Sequence, residues 1–184
     1  MTLQDLLIPT YVQMLGSLSG WLDRAVEQRP GGEAEALLTA RLAPDMFPLA
    51  TQVRFACRQA QEGVFRLMER EFPPELEALL DEGRNAGERP GTIASAQARI
   101  AETIAVVEQA TAITIDPAAP IAHALPNGMT LDLTATQYAR DWALPQFYFH
   151  LMTAYSILRA EGIELGKADY VAHLLRYFRA PVPA

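Results

Sequence analysis

The 184-residue chain has no run of lysine or arginine, and its formal net charge is −7. Nucleic-acid binders carry a basic patch or stripe, so nucleic acid is not an expected partner. No stretch of about 18 uninterrupted apolar residues exists either, so no membrane span is expected. The nearest candidate, Phe147 to Leu158, is too short and contains His150. Residues Met1 to Pro9 hold an acid and no basic cluster, unlike a signal peptide. The single cysteine, Cys57, cannot form an internal disulfide, and a lone thiol fits a reducing cytoplasm. There is no Gly-x-Ser-x-Gly nucleophile elbow. Gly31-Gly32 follows a helix end and lacks the Lys-Ser/Thr of a phosphate loop. Repeats, low-complexity blocks and a dividing linker are also lacking, so residues 1–184 read as a single domain of ordinary size.

What is present is helical periodicity. Half of the residues are hydrophobic, enough to bury a sizeable core. Leu7, Tyr11, Leu15, Leu18, Leu22 and Ala25 recur at steps of three and four, which predicts a helix from Leu3 to Glu27. Thr2 is its candidate cap, and Pro9 either kinks it or delays its start. A short helical stretch over Ala34 to Arg41 follows. Met46, Leu49, Val53, Ala56, Ala60, Val64 and Leu67 predict a second helix from Asp45 to Arg70, with Asp45 as its cap. The segment Glu75 to Gly91 reads as a connection with one helical turn. Ile93, Ala96, Ile100, Ile104 and Val107 predict a third helix from Ile93 to Glu108, capped by Thr92.

The pattern then changes. Ile113 to Ile115 is short and β-branched. Ile121 to Leu125 and Met129 to Leu133 flank Pro126-Asn127-Gly128, a hairpin signal because Asn and Gly tolerate positive φ. Phe147, Leu151, Ala154 and Leu158 predict a fourth long helix, Pro145 to Ala160, stopped by Gly162. A last short helix spans Lys167 to Tyr177. Four amphipathic helices hide their apolar faces most economically against one another, giving an all-α four-helix bundle with a small β-hairpin before the fourth long helix.

Two segments carry a resemblance. One is Arg41-Leu42-Ala43-Pro44-Asp45-Met46-Phe47-Pro48-Leu49, followed by Gln52-Val53 and Ala56-Cys57. The other is the stretch from Phe147 through His150 and Tyr155 to Arg159, continuing through Gly162, Gly166-Lys167 and Asp169-Tyr170. Both resemble an uncharacterised bacterial family, a domain of unknown function grouped with the DinB/YfiT-like four-helix proteins. That resemblance covers nearly the whole chain and implies the DinB/YfiT-like bundle. Members of the wider superfamily bind a divalent metal through three histidines, one from the second helix and two from the fourth at a spacing of four. Several act as thiol-dependent transferases, others as hydrolases or isomerases. Here only His150 stands at such a place: four residues on lies Ala154, and the second helix has no histidine. A divalent metal is therefore possible but disfavoured, and the cofactor is otherwise unknown.

Among candidate site residues, His150 follows Phe147 by three positions and precedes Ala154 by four, which points it inward. Its imidazole can hold a ligand or a proton, or sit in the core on a hydrogen bond. Tyr155 is expected to line the same pocket, with Gln52 opposite on the second helix. Arg41, Asp45 and Gln52 can hold a small anion at the bundle mouth, or Arg41 and Asp45 can brace the turn there. Arg159, Lys167 and Asp169 tie the fourth helix to the final segment. Cys57 reads as a buried, inert thiol, with Arg54 and Arg58 on the outer face. The phase of Glu62 suggests a solvated face. His123 lies near the hairpin and His173 in the last helix. Three readings stay open: a small-molecule binder, a metal-dependent transferase or hydrolase, and a homodimeric structural or interaction protein.

Overall fold

Thr2 and Asp5 start the first helix by exchanging hydrogen bonds. The Asp5 N–H donates to Thr2 Oγ1 at 3.1 Å, and the Thr2 N–H donates to Asp5 Oδ2 at 2.8 Å. In the computed structural model, which describes residues 2–112 and 115–179, this helix, α1, spans Leu3–Gln28. Pro9 lies inside it. The missing N–H leaves the Asp5 carbonyl without a helical donor, but Pro9 and Asp5 are both exposed, where water can take that role. All six residues of the expected stripe are buried. A 3₁₀ turn, Glu33–Thr39, then returns the chain across the bundle and buries Leu37 and Leu38.

The second helix, α2, spans Leu49–Leu67. It begins one turn later than the sequence suggests. Pro48 stands at its N-cap position, and Asp45 is exposed in the preceding bend without capping it. α2 packs against α1 and three further helices: α3 (Pro74–Asn85), α4 (Ile93–Glu108) and α6 (Leu144–Ala160). It is therefore buried nearly all round. The polar residues Thr51, Gln52, Arg54, Gln61 and Glu62 are all inside.

α3 corrects the expected connection over Glu75 to Gly91. It runs three turns and covers the face of α2 that the sequence assigns to solvent. Pro74 at its start suits a first-turn position. Leu76, Leu79 and Gly83 form the buried face, with the Phe55 ring lying directly on Gly83. Thr51 Oγ1 donates to the Gly83 carbonyl at 2.9 Å. Arg54, expected on the outer face, is buried; it donates to the carbonyls of Ala50 and Pro90 at 3.0 and 2.9 Å. Thr92 caps α4 together with Ser95, as the sequence implies.

The β-branched stretch Ile113 to Ile115 lies, except for Ile115, outside the described residues. The hairpin that follows pairs β1 (Pro120–Ala124) with β2 (Thr130–Thr134) antiparallel, with Ala122 opposite Asp132. Gly128 takes φ +84° at the turn. Ile121 and His123 point inward from β1. Thr134 and Gln137 then form a capping box on the short helix α5, Ala135–Gln137. A π-helical stretch, Tyr138–Ala143, joins α5 directly to α6. This widened turn lies just before Pro145, which cannot donate to the preceding carbonyls; the Leu144 N–H reaches back five residues, to Ala139. Gly162, at φ +84°, ends α6. α7 (Lys167–Tyr170) and a 3₁₀ turn (Ala172–Tyr177) replace the single last helix expected there.

Inside the bundle, Tyr11 meets Phe147 edge-on at 4.8 Å between ring centroids, and Trp21 meets Tyr155 at 5.2 Å. α1 approaches α2 closely at Gly63, where an added Cβ would stand 2.7 Å from the Tyr11 hydroxyl. No described helix is long and apolar enough to cross a membrane.

Candidate functional site

Of the five candidate ligand residues, His150, Tyr155, Gln52, Arg41 and Asp45, the structure joins two. His150 Nδ1 lies 2.9 Å from Gln52 Oε1 across the α2–α6 interface. The Gln52 amide nitrogen donates to the Phe47 carbonyl at 3.1 Å, which turns its oxygen towards His150. That network assigns the ring proton to Nδ1 and leaves Nε2 as the lone-pair nitrogen. Phe55 and Phe149 flank the imidazole at 5.2 and 5.3 Å. Burial pushes the His150 pKa down to about 4, so the ring is neutral at pH 7.

The other expected members lie elsewhere. Tyr155 packs on Trp21, and its hydroxyl points to the Leu165 carbonyl at 3.5 Å. Five residues along a helix is well over a quarter turn from His150, so the two do not share a pocket. Arg41 and Asp45 are exposed, and among the described residues no hydrogen bond or ion pair joins them. Arg41 instead lines a surface hollow with Phe47 and Arg84. Arg159 ties the end of α6 to the segment after it, its Nη1 donating to the Leu165 carbonyl at 2.5 Å, whereas Asp169 meets α1, its carbonyl accepting from Trp21 Nε1 at 3.3 Å.

The residues present do not fit a three-histidine metal centre. The second-helix place opposite His150 holds Gln52, whose oxygen already accepts from the imidazole. Ala154 is buried and offers no donor. Among the described residues, no three His, Cys, Asp or Glu side chains converge on one point. Cys57 is fully buried, and burial raises its thiol pKa to about 12.

A second polar cluster is the one the sequence reading missed. Glu62 is not solvated but 4 % exposed. It sits mid-α2 between Arg58, paired with its Oε2, and Arg66, whose Nη2 lies 2.9 Å from its Oε1. His123 reaches in from β1, 4 % exposed, with Nδ1 4.0 Å from Glu62 Oε1. The Trp142 ring packs on His123 at 4.5 Å, tilted by 53°, and Tyr138 lies 5.6 Å from it. Both come from the π-helical stretch, whose widened turn sets them beside the hairpin. Arg66 also lies over the rings of Phe72 and Tyr138, at 4.9 and 5.9 Å. Arg58, Glu62, Arg66, His123 and Trp142 line a cleft of about 240 Å³ together with Leu80, Arg84 and the hairpin tip from Ala124 to Pro126.

Three buried nitrogens here have no hydrogen-bond partner among the described residues: His123 Nδ1, Arg58 Nε and Arg66 Nε. Buried polar atoms are ordinarily satisfied, so such a group marks a place for a bound molecule or water. Burial, then the charge of Arg66, lowers the His123 pKa against the opposing pull of Glu62. Burial raises that of Tyr138. Two sequence signals pointed here. Arg58, Glu62 and Arg66 stand four apart on one helix, and His123 alternates with the inward Ile121.

The model of a domain of unknown function, DUF1993, matches residues 3–171. The chain belongs to the DUF1993 family. A solved structure of a DinB family member protein from Shewanella denitrificans is 31 % identical to this DUF1993 chain, with a TM-score of 0.70. The match covers 99 % of this chain and 95 % of that one. The DUF1993 fold is thus the DinB-like helical bundle, with the small hairpin added, that the two quoted segments imply. No curated protein matches the chain.

Proposed function

We propose that this DUF1993 protein binds a small molecule in the cleft between α2, the hairpin and the π-helical turn. The carrying observation is His123: more than nine-tenths buried, lining the cleft, with Nδ1 unpartnered among the described residues. Bundle proteins build ligand sites between facing helices, with a few polar groups set in apolar walls. Trp142, Leu80 and Pro126 supply such walls here. The reading sets this function in the cytoplasm, where a lone thiol such as Cys57 stays reduced.

A chemically broad library of small molecules, read by thermal melting and by the indole resonance of Trp142, tests the proposal. Binding predicts that some compounds raise the melting temperature and shift that resonance together. If no compound moves either readout, the cleft is a structural feature and the reading fails.

One observation favours a homodimer as the second reading. Phe149 and Met152 on α6 are 59 % and 37 % exposed, and Phe47, packed edge-on against Phe55, is 50 % exposed. A second copy covering this aromatic strip would give a self-complementary interface. Sedimentation that stays monomeric at high concentration excludes it.

A further inference from the structure

Arg58, Glu62 and Arg66 stack on one face of α2 because they are four residues apart. Each arginine takes a different oxygen of Glu62. One carboxylate between two guanidiniums leaves one surplus positive charge. Arg84, at the exposed rim, is paired with Asp81 at 4.0 Å and adds no further surplus.

The donors of Arg58 are only partly used. Nη1 donates to Glu62, Nε is buried without a partner, and Nη2 has no protein acceptor among the described residues. The Nε–Nη2 edge of an arginine is a planar fork of two donors, spaced to meet both oxygens of one carboxylate. His123 Nδ1, 4.0 Å from Glu62 Oε1, is a further buried polar atom without a hydrogen-bond partner among the described residues. The apolar share of the cleft comes from Leu80, Pro126 and Trp142. Its volume, about 240 Å³, is below the roughly 300–1,000 Å³ of pockets for drug-sized ligands.

We propose that the molecule held in this cleft is a small carboxylate with an apolar body, its oxygens on the Nε–Nη2 edge of Arg58 and its body against Trp142. The inference rests on the reading above that the cleft is a ligand site. A neutral ligand would leave the surplus charge without a counter-charge. A phosphate dianion would exceed it.

The test uses the full chain and five probes: benzoate, propionate, the matched neutral amides benzamide and propionamide, and inorganic phosphate. The indole resonance of Trp142, identified by its loss in Trp142→Phe, reports occupancy. The two carboxylates are expected to shift it saturably, and at least about tenfold more tightly than the amides or phosphate. Arg58→Lys keeps the charge beside Glu62 but removes the planar fork, and is expected to weaken carboxylate binding about tenfold in a chain that still melts cooperatively. Amides that bind as well as acids overturn the carboxylate assignment and leave the cleft a ligand site. Tighter phosphate binding also overturns it. If the acids fail while the broad library yields neutral binders, only this inference falls. If the library fails as well, both fall.

Discussion

Gln52 and His150 bridge α2 and α6 with a single 2.9 Å hydrogen bond, and the bond settles what this histidine can do. Its proton sits on the nitrogen that faces Gln52, and burial keeps the ring neutral down to a pKa of about 4. An unfolded histidine titrates near 6.5. Because the folded value is the lower one, the neutral ring contributes stability that is complete above about pH 6.5 and lost as pH falls towards 4. Histidine resonances followed from pH 8 to pH 3.5 should show His150 titrating near pH 4, well below an ordinary histidine. A midpoint near 6.5 would mean the ring is far more solvated than the Gln52 contact implies.

The Tyr11–Gly63 contact predicts a steric effect. An alanine Cβ at position 63 would press on the Tyr11 hydroxyl in a packed core. Gly63→Ala should cost about 1–3 kcal/mol, the usual range for overpacking. Adding Tyr11→Phe should recover part of that loss, since the clashing oxygen is gone. Denaturant melts of the two single variants and the double variant form the cycle that checks this. Additive losses would place the strain elsewhere.

Glu62 should be the most sensitive acid in the chain. Glu62→Ala leaves two half-buried guanidiniums without their carboxylate. Breaking a buried pair costs about 3–5 kcal/mol, and solvent at Arg58 and Arg66 pulls the expected loss to the lower end. Replacing the exposed Glu71, in the loop before α3, should cost well under 1 kcal/mol. Equal effects at the two sites would return Glu62 to the solvated role its helical phase suggests.

Cys57 should react only when the core opens. The thiol is fully buried, and burial raises its pKa to about 12. A disulfide reagent at pH 8 is expected to label it no faster than the chain unfolds, and at once in denaturant. Rapid native labelling would show a solvent path to α2 that the packing does not contain.

The local features were legible because their causes are local. Thr92 caps α4 through a bond to its own helix, and Pro126-Asn127-Gly128 turns the hairpin through its own backbone preferences. The stripe of α1 was legible because one side of that helix does face water. α3 was missed because its third inward position is Gly83, which makes its contact with Phe55 by having no side chain and so adds nothing to an apolar pattern.

By itself, the sequence determined the four long helices, the hairpin and the family, since periodicity, caps, turn chemistry and the two quoted segments all reside in contiguous residues. Tertiary structure alone decided which polar residues are inside. α3 and the hairpin close over the polar face of α2, so Arg54 and Glu62, outward by phase, become buried, while Asp45 and Arg41 stay in water. Burial depends on what another segment lays across a face, and no periodicity within a helix records its neighbours.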